Sequence, residues 1–408
     1  MITDYNIAEV FILKRLNYNH TVYCCFVSYI VQAVVNNFTP LLFITFMTEY
    51  SISLKMISLL ITINFGVQLI VDLLSAPIVR LLGYRGGVVF AHIMSALGLI
   101  CLGILPELFE TAYLGLVISI IIYAIGGGMI EVIISPMVEA CPTDNKQTAM
   151  GLLHSFYCWG SVAVILISTV FFALFGTENR LYITLFWALL PIVNVIFFLF
   201  VPISRLNEES GDGLRLKELF KCRTFYAMLI LMLCAGASEQ AVSQWASAFA
   251  ETGLKVSKTV GDLLGPMLFS ILMGLSRVFY AKMGEKIKLE KYMMLCGGLC
   301  VIGYLMSALA PISALGFVGC ALCGIAVGVM WPGTYSLAMK YMPKGTLLLF
   351  SFLALAGDVG CTTGPAIVGV ISDLFSGNLK LGILIATVFP VLLTLTLIVI
   401  IKRKNACR

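Results

Sequence analysis

Charge is what this chain has least of: Asp, Glu, Lys and Arg make up 12% of its 408 residues, against 60% hydrophobic. A soluble globular chain carries about 25% charged residues, so this composition is that of an integral membrane protein. The chain also lacks the common catalytic signatures. There is no P-loop, zinc spacing, catalytic triad or dinucleotide fingerprint in a suitable context, which argues against an ATP-driven pump or a membrane enzyme. The 13 cysteines lie mostly in apolar runs without metal-ligand spacing and read as small hydrophobic residues. Neither a cofactor nor a metal is expected. Residues 1–19 are polar and the first apolar run is a full span, so no cleavable signal peptide is expected. Asn19 and Asn37 stand in N-x-T sequons, one expected in the cytoplasm and one inside the membrane, so neither should be glycosylated.

What is present is a series of long apolar runs. A bilayer-spanning helix needs roughly 20 mostly apolar residues in a row. Twelve such segments are predicted, at 20–46, 53–80, 86–106, 111–139, 147–175, 180–201, 224–250, 258–283, 289–309, 312–340, 344–374 and 379–402. Twenty of the 26 basic residues fall at the termini and in alternate loops. Only Lys55, Arg180, Lys255, Lys258 and Lys380 fall in the opposite loops, and Arg277 lies within a span. Positive residues mark the cytoplasmic side, so both termini are expected there, at the plasma membrane. The net charge of +5 is this topological bias and implies no nucleic-acid partner.

The most polar linker, residues 204–223, follows the sixth span. It divides the chain into six-helix bundles at 1–203 and 224–408, and the loop "RLLGYRGG" (80–87) has a counterpart in "AKMGEKIKLEK" (281–291). Two parallel six-helix repeats around a midplane site are the architecture of the major facilitator superfamily. The superfamily's signature between helices 2 and 3 survives here only in Gly83 and Arg85; Ala76, Arg80 and Leu81 replace its glycine, aspartate and arginine. Longer stretches resemble one branch. "IEVIISP" (130–136) is similar to the glutamate-then-proline motif in helix 4 of the L-fucose permease branch, with Ser135 in place of its usual asparagine. "AVVNNF" (33–38) resembles that branch's helix 1 double asparagine. "GLLHSFYCWGS" (151–161) resembles the opening of helix 5, with His154 at a usual glutamine position and Tyr157 at an asparagine position. "GASEQAVSQW" (236–245), "WPGTYSLAMKYM" (331–342) and "GVISDLFSG" (369–377) resemble helix 7, helix 10 and the end of helix 11. The resemblance implies an all-α fold of twelve transmembrane helices in two pseudo-symmetric bundles, transporting by alternating access. Pro40 stands where L-fucose permease has a functional aspartate, so that protein's two-carboxylate arrangement does not carry over intact.

A charged side chain at the bilayer centre costs about 2.5–3.5 kcal/mol on insertion scales, so such residues face a cavity or a partner. Glu131 lies about 12 Å inside helix 4 at 1.5 Å per residue. His154 and Asp72 lie at similar depths in helices 5 and 2, so the three are expected in one layer. A carboxylate in low dielectric can exchange a proton near neutral pH, which makes Glu131 the leading proton carrier and Glu239 the second. The alternative reading of Glu131 and His154 is a hydrogen bond gluing two helices. Asp72 is expected to be structural, paired with Arg80 or a loop, and Arg277 to be a gate or snorkelling residue. Amides and aromatic rings suit a hydroxyl-rich ligand: Asn36, Asn37, Gln68, Gln240 and Gln244, with Trp245 or Trp331 for stacking and His154 and Asp358 in the cavity. Interhelical bonding for the glutamines and an interfacial anchor for Trp245 are the alternatives.

The expected activity is secondary active symport of a sugar or similar small polar solute, driven by protons, by a monomer in the bilayer. Sodium coupling stays open, since clustered carboxylates and carbonyls bind it. An exporter of cationic or amphipathic compounds by proton antiport is the first alternative, though helix 5 lacks the glycine-proline-glycine antiporter motif. A non-transporting receptor or lipid-handling protein on the same fold is the second.

Overall fold

The computed structural model describes residues 16–142, 146–203, 219–283, 287–342 and 347–406. Most of the 204–223 linker, with its expected basic residues Arg205, Arg215 and Lys217, lies outside them. Lys14, Arg15, Lys286, Lys344 and Arg408 do as well. Among the described residues there is no strand, and twelve helices are long and apolar enough to cross a membrane. They are α1 (Tyr18–Glu49), α2 (Leu54–Leu74), α3 (Pro77–Leu108), α4 (Ala112–Ala140), α5 (Leu152–Phe175), α6 (Thr177–Phe200), α7 (Arg223–Ser243), α8 (Lys258–Tyr280), α9 (Leu289–Leu309), α10 (Ser313–Tyr341), α11 (Leu349–Leu374) and α12 (Leu379–Lys402). In hydrocarbon every backbone N–H and C=O must be bonded within the segment, so apolar runs of this length fold as helices. Protein covers 78% of the most apolar stretch of α1, 72% of α7 and 61% each of α4 and α10. These four are therefore the helices most enclosed by protein, and they carry both proton-carrier candidates, Glu131 and Glu239, with Asn36, Asn37 and Gln240.

Three of the four are interrupted. Pro40 has no N–H to offer and its ring crowds the carbonyl of residue i−4, here Asn36. The chain answers with a 3₁₀ turn at Thr39–Leu42. The expected span at 224–250 ends instead at Ser243, and a short helix and a π turn at Phe249–Gly253 follow. The sequence there turns polar (Ser243, Gln244, Ser247, Glu251), so the apolar run no longer holds a regular ladder. In α10 the break falls at Gly328 and Val329, where Pro332 crowds the Gly328 carbonyl. Non-helical backbone at this depth is tolerated only where it is buried in protein or lines a water-filled cavity.

Gly83 breaks the helix near the start of α3, and its φ of 69° suits a residue without a Cβ. Arg85 then donates to the carbonyls of Leu199 and Val201, both at 2.8 Å, and to that of Phe198. It caps the C-terminal end of α6, where the last carbonyls have no helical partner.

The chain separates into two compact units. Unit 1 is Met1–Asn36, Ile70–Gly160 and Asn179–Glu209; unit 2 is Asn37–Leu69, Ser161–Glu178 and Ser210–Arg408. The boundaries cut α1, α2, α5 and the first residues of α6, so the partition by packing differs from the sequence division at 204–223. In unit 1 the core is a polar knot among α1, α3 and α6. His92 is fully buried, and its Nδ1 lies 2.7 Å from the Val88 carbonyl, so Nδ1 carries the proton and Nε2 accepts. Asn194 Nδ2 donates to that Nε2 at 2.9 Å, with Ser28 Oγ and the Cys24 carbonyl each at 3.1 Å. Each ring nitrogen has a partner, which assigns His92 to structure.

In unit 2 the tightest pair is α7 against α11. A Cβ on Gly360 would land on the Leu233 carbonyl and 2.8 Å from the Ala237 nitrogen, so only glycine allows this approach. Trp245 is fully buried and donates its indole N–H to the Pro365 carbonyl at 2.9 Å, tilted against Phe43.

Candidate functional site

Two clusters of polar side chains stand inside the membrane-spanning helices, one in each unit. In unit 1, α1 and α4 meet through two rungs. Gln32 Nε2 donates to Glu131 Oε2 at 3.1 Å, and Tyr29 and Ser135 share a hydroxyl bond of 2.8 Å. Tyr29 and Gln32 are three residues apart, Glu131 and Ser135 four, so each helix presents one face. Pro136 follows Ser135 inside α4. His154 of α5 sets its ring edge-on to that of Tyr29, at 5.4 Å and 83°. Glu131 and His154 are thus each tied to α1. Asn36, one turn beyond Gln32, is buried, and its carbonyl is the one that Pro40 crowds. Asp72 is half-buried on α2 and Arg80 is exposed.

In unit 2 a chain of polar groups runs along α7. Arg277 Nη2 of α8 lies 3.7 Å from Glu239 Oε2, and both side chains are nearly enclosed. Gln240 Nε2 donates to Glu239 Oε1 at 3.4 Å and Gln244 Nε2 to Gln240 Oε1 at 3.1 Å, with Ser243 Oγ on the same oxygen at 3.2 Å. The series ends where α7 breaks. Arg277 is therefore a counter-ion to a buried carboxylate, and the snorkelling reading does not describe it in this conformation. Asn37 donates to Ser161 Oγ at 3.1 Å, and Gln68 is buried on α2.

The aromatic candidates part company. Trp245 has no exposed face, so no sugar ring can stack on it in this conformation; the expectation of stacking there is replaced by a packing role. Trp331 is half-buried and lies across Gly357, where any Cβ would collide with the indole. Asp358 follows on α11 and is buried. Gln32 and Tyr29 escaped the sequence reading, which noted Ser135 only as the replacement for a motif asparagine. The signal for Gln32 was its i, i+4 spacing from Asn36; nothing in the sequence tells which helix Tyr29 or Ser135 faces. The described residues hold no group of three or more His, Cys, Asp or Glu side chains arranged to bind a metal ion.

Twelve apolar helices with carboxylates and amides on the most enclosed of them define a multi-pass membrane protein of transporter type. The family model of the Major Facilitator Superfamily matches residues 23–348 and 267–406, and the chain belongs to that family. No curated protein matches the chain. Among solved structures it is similar to the outward conformation of the transporter FucP, at 15% identity and a TM-score of 0.64, with 93% of this chain and 98% of that chain covered. A point variant of FucP, the E. coli fucose:proton symporter, gives 16% identity, a TM-score of 0.62 and the same coverage. A point mutant of the nucleoside transporter NupG is similar at 12% identity and a TM-score of 0.73, covering 94% of this chain and 99% of that one. A bacterial homologue of the human lysosomal transporter Spinster gives 12% and 0.71, over 93% and 96%. At these identities the likeness is one of fold.

Proposed function

We propose that this protein is a proton-coupled symporter of a neutral, hydroxyl-rich solute such as a sugar, working by alternating access with Glu131 as the proton carrier. The observation that supports it most is the Gln32–Glu131 pair. An amide both donates and accepts. Gln32 can thus donate to the ionised carboxylate and, by turning over, accept from the protonated one. Such a partner suits a group that changes protonation in each cycle. Glu239 faces the permanent cation Arg277, which suits a carboxylate that stays charged, so Glu239 ranks second.

The amides Asn36, Asn37, Gln68, Gln240 and Gln244 supply hydroxyl-matching groups, with His154, Trp331 and Asp358 as further cavity residues. FucP is a fucose:proton symporter and NupG a nucleoside transporter; both kinds of solute are polyhydroxylated, which favours this class. The sequence halves 1–203 and 224–408 act as the rocking bodies, the protein works as a monomer, and both termini face the cytoplasm at the plasma membrane. A proton entering down the gradient supplies about 2.3 kcal/mol per 100 mV.

The test is uptake into proteoliposomes from a panel of radiolabelled sugars and amines. The expected result is saturable, gradient-driven uptake of a sugar. With the solute in hand, Glu131→Gln should abolish accumulation driven by a pH gradient and leave counterflow exchange measurable. Saturable uptake of an amine and no sugar would overturn the substrate class. Unchanged accumulation in Glu131→Gln would remove that residue from coupling.

A further inference from the structure

Where α8 begins in unit 2, a charged network stands apart from the polar clusters described above. Asp262, on the first turns of α8, has no exposed surface. Its Oδ2 accepts from Thr169 Oγ1 of α5 at 3.2 Å and faces Lys258 Nζ at 3.2 Å, while Ser247 Oγ donates to its Oδ1. Lys258 in turn donates to the Leu41 carbonyl in the 3₁₀ turn of α1. It stands 3.7 Å from Glu251 Oε1 and 5.8 Å from the centre of the Phe172 ring on α5. One ammonium and two carboxylates thus tie together α1, α5, α8 and the segment after α7. The Leu41 carbonyl that Lys258 takes lies in the 3₁₀ turn at Thr39–Leu42.

Local helix energetics do not explain the pair. A lysine in the first turn of a helix opposes the helix dipole, and Lys preceding Asp by four residues is the weaker order for an i, i+4 pair. What holds Lys258 and Asp262 in place is the tertiary partners, Leu41, Thr169, Phe172, Ser247 and Glu251. Leu41, Thr169 and Phe172 belong to the first half of the sequence; the others belong to the second.

We infer that Lys258 and Asp262 form a latch between the first-half segments of α1 and α5 and the start of α8, and that transport breaks and remakes it once per cycle. This rests on the reading that the two sequence halves move against each other. If they do, Thr169 and Leu41 must leave Asp262 and Lys258. These two are positioning residues: they touch no solute and set which conformation is populated.

The experiment needs neither a solute nor a gradient, so it stands apart from the Glu131 test. Ser58→Cys places a thiol at a position that is 1% exposed in the first turns of α2, and Thr334→Cys at a fully buried position toward the far end of α10. Each is labelled by a water-soluble maleimide in the detergent-solubilised protein, and the rate is taken relative to the parent chain. In the background of Lys258→Gln or Asp262→Asn, labelling at Ser58→Cys is expected to rise about tenfold, since removing one partner of a buried pair shifts the population strongly. Labelling at Thr334→Cys should not rise. The double variant should match either single one. A rate at Ser58→Cys unchanged from the parent overturns the latch, and so does an equal rise at both positions, which would mean general loosening. Should both charge variants fail to fold, Thr169→Val and Ser247→Ala, which keep the pair, carry the test. A smaller rise, about two- to threefold, confined to Ser58→Cys supports the latch, and no rise in either overturns it.

Discussion

Asn194→Leu is a substitution whose effect can be worked from the contacts around His92. The Asn194 amide donates to His92 Nε2, Ser28 Oγ and the Cys24 carbonyl, at 2.9–3.1 Å. Leucine branches at the same carbon and offers no donor, and the packing cost of its larger side chain cancels in a double-mutant cycle. The Cys24 carbonyl keeps its helical partner. Ser28 Oγ, now donating to that carbonyl at 2.9 Å, lies 3.1 Å from His92 Nε2 and can turn its proton there instead. The single substitution thus loses bonds but strands no acceptor, and should cost about 0.6–1.7 kcal/mol, the range of interhelical hydrogen bonds in membranes. Ser28→Ala alone should cost less than about 1 kcal/mol, since Asn194 still serves the ring. Together they leave a buried ring nitrogen with no donor, which adds about 1–3 kcal/mol. The pair should therefore be worse than the sum of its parts, by well over the ~0.5 kcal/mol that separates additive from coupled sites. Reversible unfolding in mixed micelles of a denaturing detergent measures the cycle. Additive costs would refute both the His92 tautomer and the relay of donors from Asn194 to Ser28.

Gly360→Ala should destabilise by about 1–3 kcal/mol, because the added carbon meets the Leu233 carbonyl and Ala237 nitrogen, backbone atoms that no rotamer change can move. Gly298→Ala, where a Cβ meets nothing within 4 Å, should be neutral or stabilising by up to about 1 kcal/mol, and equal thermal shifts for the two would sink the argument. Glu251 lies outside the spans, and burial raises its carboxyl above the ordinary 4.5, more than Lys258 lowers it. The native state then binds the proton more tightly than the unfolded chain, so wild-type stability falls as pH rises from 4.5 through the raised value. Glu251→Gln removes that slope, and its stability relative to wild type should increase from pH 4.5 to neutral; thermal melts showing a flat or decreasing difference would contradict the assignment.

The sequence by itself determined the twelve spans, because lipid offers no partner for backbone polar groups and long apolar runs have one way to satisfy them. It also marked Glu131, Glu239 and the amides as unusual, since a polar group in hydrocarbon needs a reason to be there. The tertiary structure alone decided which of them meet. Helices apolar on every side have no amphipathic face that fixes their rotation, so nothing in the chain paired Glu131 with Gln32 or His92 with Asn194. Trp245 illustrates the limit: its residue type suited a ligand, and only the packing of Phe43 and Pro365 around it gave it to the core. Lys258 and Asp262 illustrate it again. Lys258 reads as an ordinary loop charge and Asp262 drew no reading, and the burial of both follows from segments far away in the chain, at Leu41 and Thr169. Composition sets how much of a chain must leave water; which side chains then share that enclosed space is set by helix rotation and register, and those are properties of the packed molecule.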